Sequence, residues 1–342
     1  MKSEVSKCVF PAEWDPHAAT WFTWPTNYDT WTDVLDSVRR MLAQAMVAIA
    51  HGEVILVNVS SREESKQVHE YTGHHPNVRT LDLPSNDSWC RDHGPTFVLD
   101  GTMLQAVTWN YNAWGNKYPP FDLDDALGPV MAARLGIQAS QSDLTLEGGA
   151  LESNGANILL TTASCVLNAN RNPGLSRDQA DRELSKQLGL PIVGWLSGDL
   201  DGDDTDGHID NLVRFASEKM ILMPKSIATK QNLDEIDRIG ALANAKLEIR
   251  YLPEAASLNY QGGRLPSSHM NFYIANTCVI LPCYGGASDD EAAEILTDLF
   301  PQRKIVRLDC RDVIRGMGAI HCLTQQVPMS SNFVIPKDDF EE

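Results

Sequence analysis

Four polar, glycine-bearing stretches interrupt the apolar pattern of this chain, at 87–95, 146–149, 202–211 and 316–326, and each carries residue types able to do chemistry. Cys322 is the sharpest candidate. A thiol becomes a nucleophile when a cationic neighbour or a helix N-terminus lowers its pKa, and Gly316 and Gly318 would let backbone or ligand approach it closely. His321 is adjacent, but side chains at i and i+1 point apart in extended backbone, so the partner is expected elsewhere. His208 lies between Asp206 and Asp210. Residues two apart share a face of an extended segment, which would let His208 and Asp210 enter one pocket together. Carboxylates beside the imidazole would raise its pKa and suit it to carry protons near neutral pH. Asp92 precedes the Gly94-Pro95 turn, which would fix the direction of its carboxylate; a structural pair with Arg91 is the competing reading. Trp89 and Trp114 offer faces that can line a slot for a planar cation, or they fill a core.

A metal reading competes at 199–210, where six aspartates (199, 201, 203, 204, 206 and 210) fall within twelve positions. It fails as an EF-hand loop. Counted from Asp199, the sixth position is Asp204 rather than glycine and the twelfth is Asp210 rather than glutamate; counted from Asp201, the sixth is Asp206. A zinc site would want a second histidine or a cysteine close by in sequence, and none is there. No metal and no organic cofactor are expected.

The elements that must position these residues recur in a fixed order. Strands at 96–99 and 103–109 flank an Asp100-Gly101 turn, followed by a helix at 123–135. Strands at 150–152 and 157–161 flank Asn154-Gly155. A helix at 176–188 follows, opened by a Ser176…Gln179 capping pattern, then a strand at 191–196. The pattern returns with strands at 212–216 and 220–223, a helix at 233–245 and a strand at 246–252. It returns again with strands at 271–276 and 278–281, a helix at 289–300 and a strand at 304–308. Hairpins therefore start about every 60 residues, the signature of repeated units arranged about an axis or stacked in an array. Strands at 18–24, 54–59 and 78–83, with helices at 31–50 and 62–71, supply a fifth unit. With so few units, closure into a ring is expected, and the polar segments between units would meet at its centre.

Composition narrows the partners. The formal net charge is −18, which disfavours nucleic acid because phosphate binding needs basic patches and draws in cations instead. No apolar run reaches the roughly 20 residues of a membrane span. Residues 1–7 lack the apolar core of a secretory signal. The seven cysteines are scattered, odd in number and free of CxxC pairs, so a reducing, cytoplasmic setting is expected. The acidic tail at 338–342 is expected to fray. Residues 1–342 read as one catalytic domain, with a homodimer the one protein assembly allowed for.

Taken together, the segments 11–14, 17–25, 87–95, 112–118, 146–149, 167–173, 202–211, 271–276 and 320–328 occur in an order that resembles the agmatine deiminase and Porphyromonas-type peptidylarginine deiminase family. The resemblance implies a pentein α/β propeller, a pseudo-fivefold ring of ββαβ units around a central site. It implies Cys322 as nucleophile, His208 as proton carrier, and Asp92 and Asp210 as the carboxylates that grip a guanidinium. Asp204 is placed at the far end of the substrate, with Trp89, Trp114, Asn271 and Glu147 counted among the binding residues. The implied reaction hydrolyses agmatine to N-carbamoylputrescine and ammonia through an amidino-cysteine. Peptidylarginine or another guanidino compound is the alternative, and an acidic, non-enzymatic metal-binding protein the alternative of another class. Met317 departs from the glycine expected before the nucleophile.

Overall fold

The computed structural model describes residues 8–341, so the opening segment read for a leader lies outside the described residues. Five mixed sheets follow one plan. In each, an antiparallel pair is joined by a parallel third strand, and a helix makes the crossover that a parallel connection requires. The first sheet runs Gln325–Pro328, His17–Thr23, Val54–Val59, Val78–Asp82; the second runs Cys8–Val9, Thr96–Asp100, Met103–Asn110, Ala139–Thr145. The third holds Glu152–Ser153, Ile158–Thr162 and Ile192–Leu196, and the fourth Arg214–Ser217, Met220–Met223 and Glu248–Tyr251. The fifth holds Tyr273–Ile274, Cys278–Cys283 and Lys304–Asp309. The antiparallel pair of the first sheet joins the two ends of the chain, with Gln325 opposite Trp21 and Val327 opposite Ala19.

Local chemistry explains the elements. Val54–Val59 and Cys278–Cys283 are near-continuous apolar runs, as strands buried on both faces demand. The helix Leu35–Ala50 buries Val38, Met41, Leu42, Ala45, Met46 and Ile49, spaced three and four apart on one face. Ser176 and Gln179 close the expected capping box on the helix Arg177–Leu188, and Gly189 ends it at φ 68°.

Apolar clusters weld each sheet to the next. Trp21, Leu81, Phe97 and Leu104 join the first and second sheets, and Val107, Leu144, Leu159 and Val193 join the second and third. Leu160, Leu196, Phe215 and Ile221 join the third and fourth, while Leu222, Ala216, Val279 and Leu281 join the fourth and fifth. Ile55, Val57, Ile280 and Leu308 then join the fifth sheet to the first.

Three boundaries differ from expectation, for one reason. The strands expected at 150–152, 212–216 and 271–276 begin later, at Glu152, Arg214 and Tyr273, because single 3₁₀ turns occupy Gly148–Ala150, Ile209–Asn211 and His269–Asn271. The tail also departs from expectation: Asp338 is buried rather than frayed, its carboxylate accepting from the Thr80 backbone N–H at 2.7 Å and hydroxyl at 2.8 Å, with His69 Nε2 at 3.0 Å. Replacing it with alanine is expected to cost about 2 kcal/mol, the net worth of charge-assisted bonds of this kind, read as a lowered urea midpoint.

Candidate active site

The turns that displaced the expected strands are where the polar motifs sit. Each sheet's antiparallel pair is entered through one short turn, and each turn delivers a side chain to the same place. The one-turn helix Cys90–His93 carries Asp92 into the second sheet, and Gly148–Ala150 follows Glu147 into the third. Ile209–Asn211 carries Asp210, with His208 at its start, into the fourth; His269–Asn271 carries Asn271 into the fifth. The turn at 320–324, closed by Leu323 N–H to the Ile320 carbonyl at 3.2 Å, carries Cys322 into the first.

A closed circuit of hydrogen bonds links these turns. Arg91 N–H donates to the Cys322 carbonyl (3.1 Å) and Gly149 N–H to Asp92 Oδ1 (2.9 Å). His208 Nε2 lies 3.5 Å from Glu147 Oε2, Asn271 Nδ2 donates to Asn211 Oδ1 (2.9 Å), and His321 N–H donates to Asn271 Oδ1 (2.9 Å). Gly149 is needed in this circuit, since a Cβ there would stand 2.5 Å from His208 Nδ1 and 2.9 Å from Asp92 Oδ1. Gly149→Ala is therefore expected to push the two apart and lower kcat/KM about 100-fold, as misplacement on the ångström scale does, with a native circular dichroism spectrum.

Cys322 is buried at the floor of a cavity of about 750 Å³ that Asp92, Trp89, Trp114, Tyr118 and Asp204 also line. Its Sγ accepts from Asn271 Nδ2 at 3.1 Å and lies 3.8 Å from Asp210 Oδ2. Burial, then Asp210 and Asp92, push this thiol well above its usual range. Among the described residues no permanent cation bonds to it, so a cationic ligand between the two carboxylates is what would favour the thiolate.

Asp92 uses both oxygens: Gly149 N–H on Oδ1, and Trp114 Nε1–H on Oδ2 at 3.0 Å. Burial, reinforced by Asp210 and Glu147 and opposed by His208, raises it to about 6. Burial works the same way on Asp210, but the His321 hydrogen bond and charge, with His208 and Arg214, outweigh it and hold Asp210 low. Burial likewise opposes a charged His208, yet Asp92, Cys165 and Glu147 raise its pKa well above the ordinary value, keeping it an imidazolium at neutral pH. The carboxylates responsible are distant in sequence. Asp206, the near neighbour expected to contribute, turns away to Arg171 Nη1 at 2.6 Å and Lys117 Nζ at 2.9 Å. His208 Nδ1 and Asp210 Oδ1 are among the buried atoms left without a hydrogen-bond partner in the described residues.

Trp114 reaches Asp92 from a rare backbone. Ala113, Trp114, Gly115 and Asn116 have φ of 48°, 55°, 89° and 64°, a left-handed turn closed by Asn116 N–H to the Asn112 carbonyl at 2.6 Å. Such a turn costs about 1–2 kcal/mol per non-glycine residue. Met317, where a glycine was expected, also sits at φ 72°. Trp89 packs its ring over Gly318, where a Cβ would come within 2.5 Å of it.

Four of the nine expected site residues do not line the cavity: His208 and Asp210, both fully buried, and Glu147 and Asn271. Glu147 lies behind His208, fully buried, because Arg171 Nε donates to both of its oxygens at 2.9 and 2.8 Å and draws it away from the opening. It contacts His208 Nε2 through Oε2 at 3.5 Å. Asn271 is spent on the Cys322 thiol, Asn211 and the His321 N–H, so its amide faces these groups rather than the cavity. Asp204 does line the cavity and accepts a hydrogen bond from the Tyr118 hydroxyl. Cys165 joins Glu147 and His208 in a buried group of metal-ligand type. The guanidinium of Arg171 already occupies Glu147, and three donors fall one short of a structural zinc set.

Sequence reasoning gave no role to Glu13, Arg171 or Cys165. The first two lie in segments, 11–14 and 167–173, that stood out as motifs without showing their chemistry; Cys165 carried no signal beyond its residue type.

The chain is similar to known proteins along most of its length. A family model described as Porphyromonas-type peptidyl-arginine deiminase matches residues 9–328. A Legionella pneumophila protein bearing the name "Putative agmatine deiminase" is 33% identical over 335 residues, covering 95% of this chain and 96% of the relative. The solved structure of agmatine deiminase of Enterococcus faecalis catalysing its reaction is 27% identical with a TM-score of 0.87, over 96% of this chain and 99% of that one. A C. jejuni agmatine deiminase with substrate bound has a TM-score of 0.84 at 27% identity, over 94% of this chain and 97% of that one.

Proposed function

The chain belongs to the Porphyromonas-type peptidyl-arginine deiminase family, of α/β pentein fold, and is related to guanidino-group hydrolases; on that premise we propose that it is an agmatine deiminase. The observation that carries the reading is a buried thiol flanked by Asp210 and Asp92, with His208 Nδ1 3.8 Å from Asp92 and, among the described residues, no cation bonded to the thiol. That charge pattern suits a planar cation. A guanidinium presents its N–H groups in one plane, and carboxylates accept them in pairs.

In the proposed reaction, Asp92 and Asp210 align the guanidinium carbon over Cys322, and the bound cation stabilises the thiolate, so that the thiol proton passes to bulk water as the ligand binds. Sulfur bonds to that carbon to give a tetrahedral adduct. His208 delivers a proton to the departing nitrogen, the C–N bond breaks, and ammonia leaves an amidino-cysteine. Water then attacks the same carbon, with His208 taking its proton. The C–S bond breaks, releasing the ureido product and returning the thiolate. Glu147 keeps the imidazole oriented through both halves.

Agmatine is favoured over arginine in a peptide by Asp204, a carboxylate on the cavity wall available to a distal ammonium. The product, N-carbamoylputrescine, would feed polyamine synthesis. Six buried cysteines that form no disulfide accord with a reducing, cytoplasmic setting. Among the described residues no helix is long and apolar enough to cross a membrane. The finer architecture is read as a propeller of five ββαβ blades, supported by the circuit of turns and by the apolar cluster joining the last sheet to the first.

The test is ammonia release from agmatine, free arginine and a blocked arginine peptide in parallel. Agmatine is expected to be turned over with the highest kcat/KM; activity confined to the peptide would reject the assignment. A pH series adds a second check. Asp92 must be ionised to grip the cation and is raised to about 6, so kcat/KM is expected to fall as pH drops below about 6 and to level off above it.

A further inference from the structure

Behind Asp210 lies a buried network that the proposed reaction does not use. His321 Nδ1 is 2.7 Å from Asp210 Oδ2, and His321 Nε2 is 2.7 Å from Glu13 Oε2. Glu13 is also ion-paired with Arg214, whose Nη2 lies 2.8 Å from Oε1, and it accepts from Arg91 Nη2 at 3.4 Å and the Ile274 N–H at 2.8 Å. Arg214 in turn pairs with Glu152 at 2.8 Å. All six charged groups are buried. Arg91, Arg214 and His321 face Glu13, Glu152 and Asp210, so the set balances if the ring of His321 carries both protons. Hydrogen-bond accounting requires the same thing, because an ionised carboxylate only accepts and His321 has one on each side.

The consequence falls on Asp210. Its Oδ2 is taken by His321, while Oδ1 is buried with no partner. We propose that His321 and Glu13 are positioning residues: Glu13 anchors the imidazole, and the imidazole turns Asp210 so that Oδ1 alone is presented to an incoming amidinium or guanidinium. This rests on the reading of Asp210 as a guanidinium-gripping carboxylate. It gives the His-Cys neighbours of the 320–324 turn opposite duties, Cys322 facing the ligand and His321 facing the interior. It also gives the 11–14 segment a function, since Glu13 bonds to Arg91 beside Asp92 and, through His321, to Asp210.

The groups that face Asp210 are His321, His208, Arg214, Asp92 and Cys322. Those that face Glu13 are Arg91, Arg214, His321 and Glu152. Removing the His321 bond leaves Asp210 buried beside Asp92 with less compensation, so its carboxyl would protonate at higher pH.

The test uses alkylation of Cys322 in the full chain, read by peptide mass, with 2-chloroacetamidine as a planar cation and iodoacetamide as a neutral control. Wild type is expected to prefer the cation, with an acid limit set by Asp92. His321→Gln is expected to lower that preference at least about tenfold, the equivalent of one pKa unit, and to move the acid limit to higher pH. A folded His321→Gln that keeps both the preference and the limit overturns the proposal. If wild type itself shows no preference for the cation, the guanidinium reading of the site is what fails. Should His321→Gln not fold, Glu13→Gln, which leaves the imidazole in place, carries the same two readouts with the same expected and overturning results. If neither folds, nitrogen-15 histidine spectra of wild type at pH 7 decide: protons on both ring nitrogens of His321 are expected, and one bare nitrogen overturns the proposal.

Discussion

Cys322→Ala is expected to abolish ammonia release from agmatine, a loss on the order of 10⁶ in kcat, the scale on which removal of a covalent nucleophile acts. The prediction depends on what surrounds the thiol. Asp210, Asp92 and Asn271 have no nucleophilic capacity toward a guanidinium carbon, and His208 is kept protonated by Asp92, Cys165 and Glu147, after burial's opposing effect is overcome. Water alone would have to attack a resonance-stabilised cation. Binding should survive, because the carboxylates that grip the ligand do not need the sulfur. The variant should also fold, since only one small buried atom is lost, at a cost of roughly 1–2 kcal/mol. Calorimetry should therefore show agmatine bound but not consumed. Turnover by the purified variant would refute the covalent route.

His208→Gln is expected to lower kcat about 10³-fold, within the range that general acid–base catalysis contributes. Glutamine preserves a polar group near Asp92 and Glu147 but has no proton to give at neutral pH. The loss should divide unevenly between the half-reactions, and that division is the more telling measurement. Attack by sulfur needs no protein base if the bound cation stabilises the thiolate and the thiol proton passes to bulk water, whereas departure of nitrogen and activation of water both use the imidazole. Quenched samples analysed by mass are expected to show either unreacted thiol or a long-lived amidino adduct on Cys322. A variant that turns over at the wild-type rate removes His208 from the mechanism. Glu147→Gln should show a milder form of the same defect, because it removes an orienting partner and leaves Arg171 buried without its carboxylate.

Much of the repeat was readable before any coordinates, and the reasons are local. Val54–Val59 and Cys278–Cys283 announce themselves as apolar runs, Asp100-Gly101 as a hairpin turn, and Ser176…Gln179 as a cap. What could not be read were the short turns before each hairpin. Residues 148–150, 209–211 and 269–271 are held by bonds to other turns, such as Gly149 to Asp92 and Asn271 to Asn211, so their shape is decided by partners 57 and 60 residues away. The same is true of roles. Glu147 and Asn271 were recognisable as site residues, but which way each faced depended on Arg171 and on the thiol. Adjacent His321 and Cys322 were expected to point apart as in extended backbone, but they sit in a turn and both approach Asp210 Oδ2, at 2.7 and 3.8 Å, and nothing in spacing revealed that Glu13 waits on the histidine's far side. Tail burial was missed because an acidic end resembles a solvated one until Thr80 and His69 are in place to receive it.

The first sheet carries a consequence for biosynthesis. His17–Thr23 is among the first strands to leave the ribosome, and its antiparallel neighbour, Gln325–Pro328, is among the last. Until then this strand, wholly buried in the finished fold, must wait with an open edge, the kind of template on which nascent chains aggregate. Cys322 emerges just before the strand that closes that edge. Any product of premature termination would therefore lack both its nucleophile and its seal, and would be inert and adhesive together, a natural target for chaperone holding and proteolytic clearance.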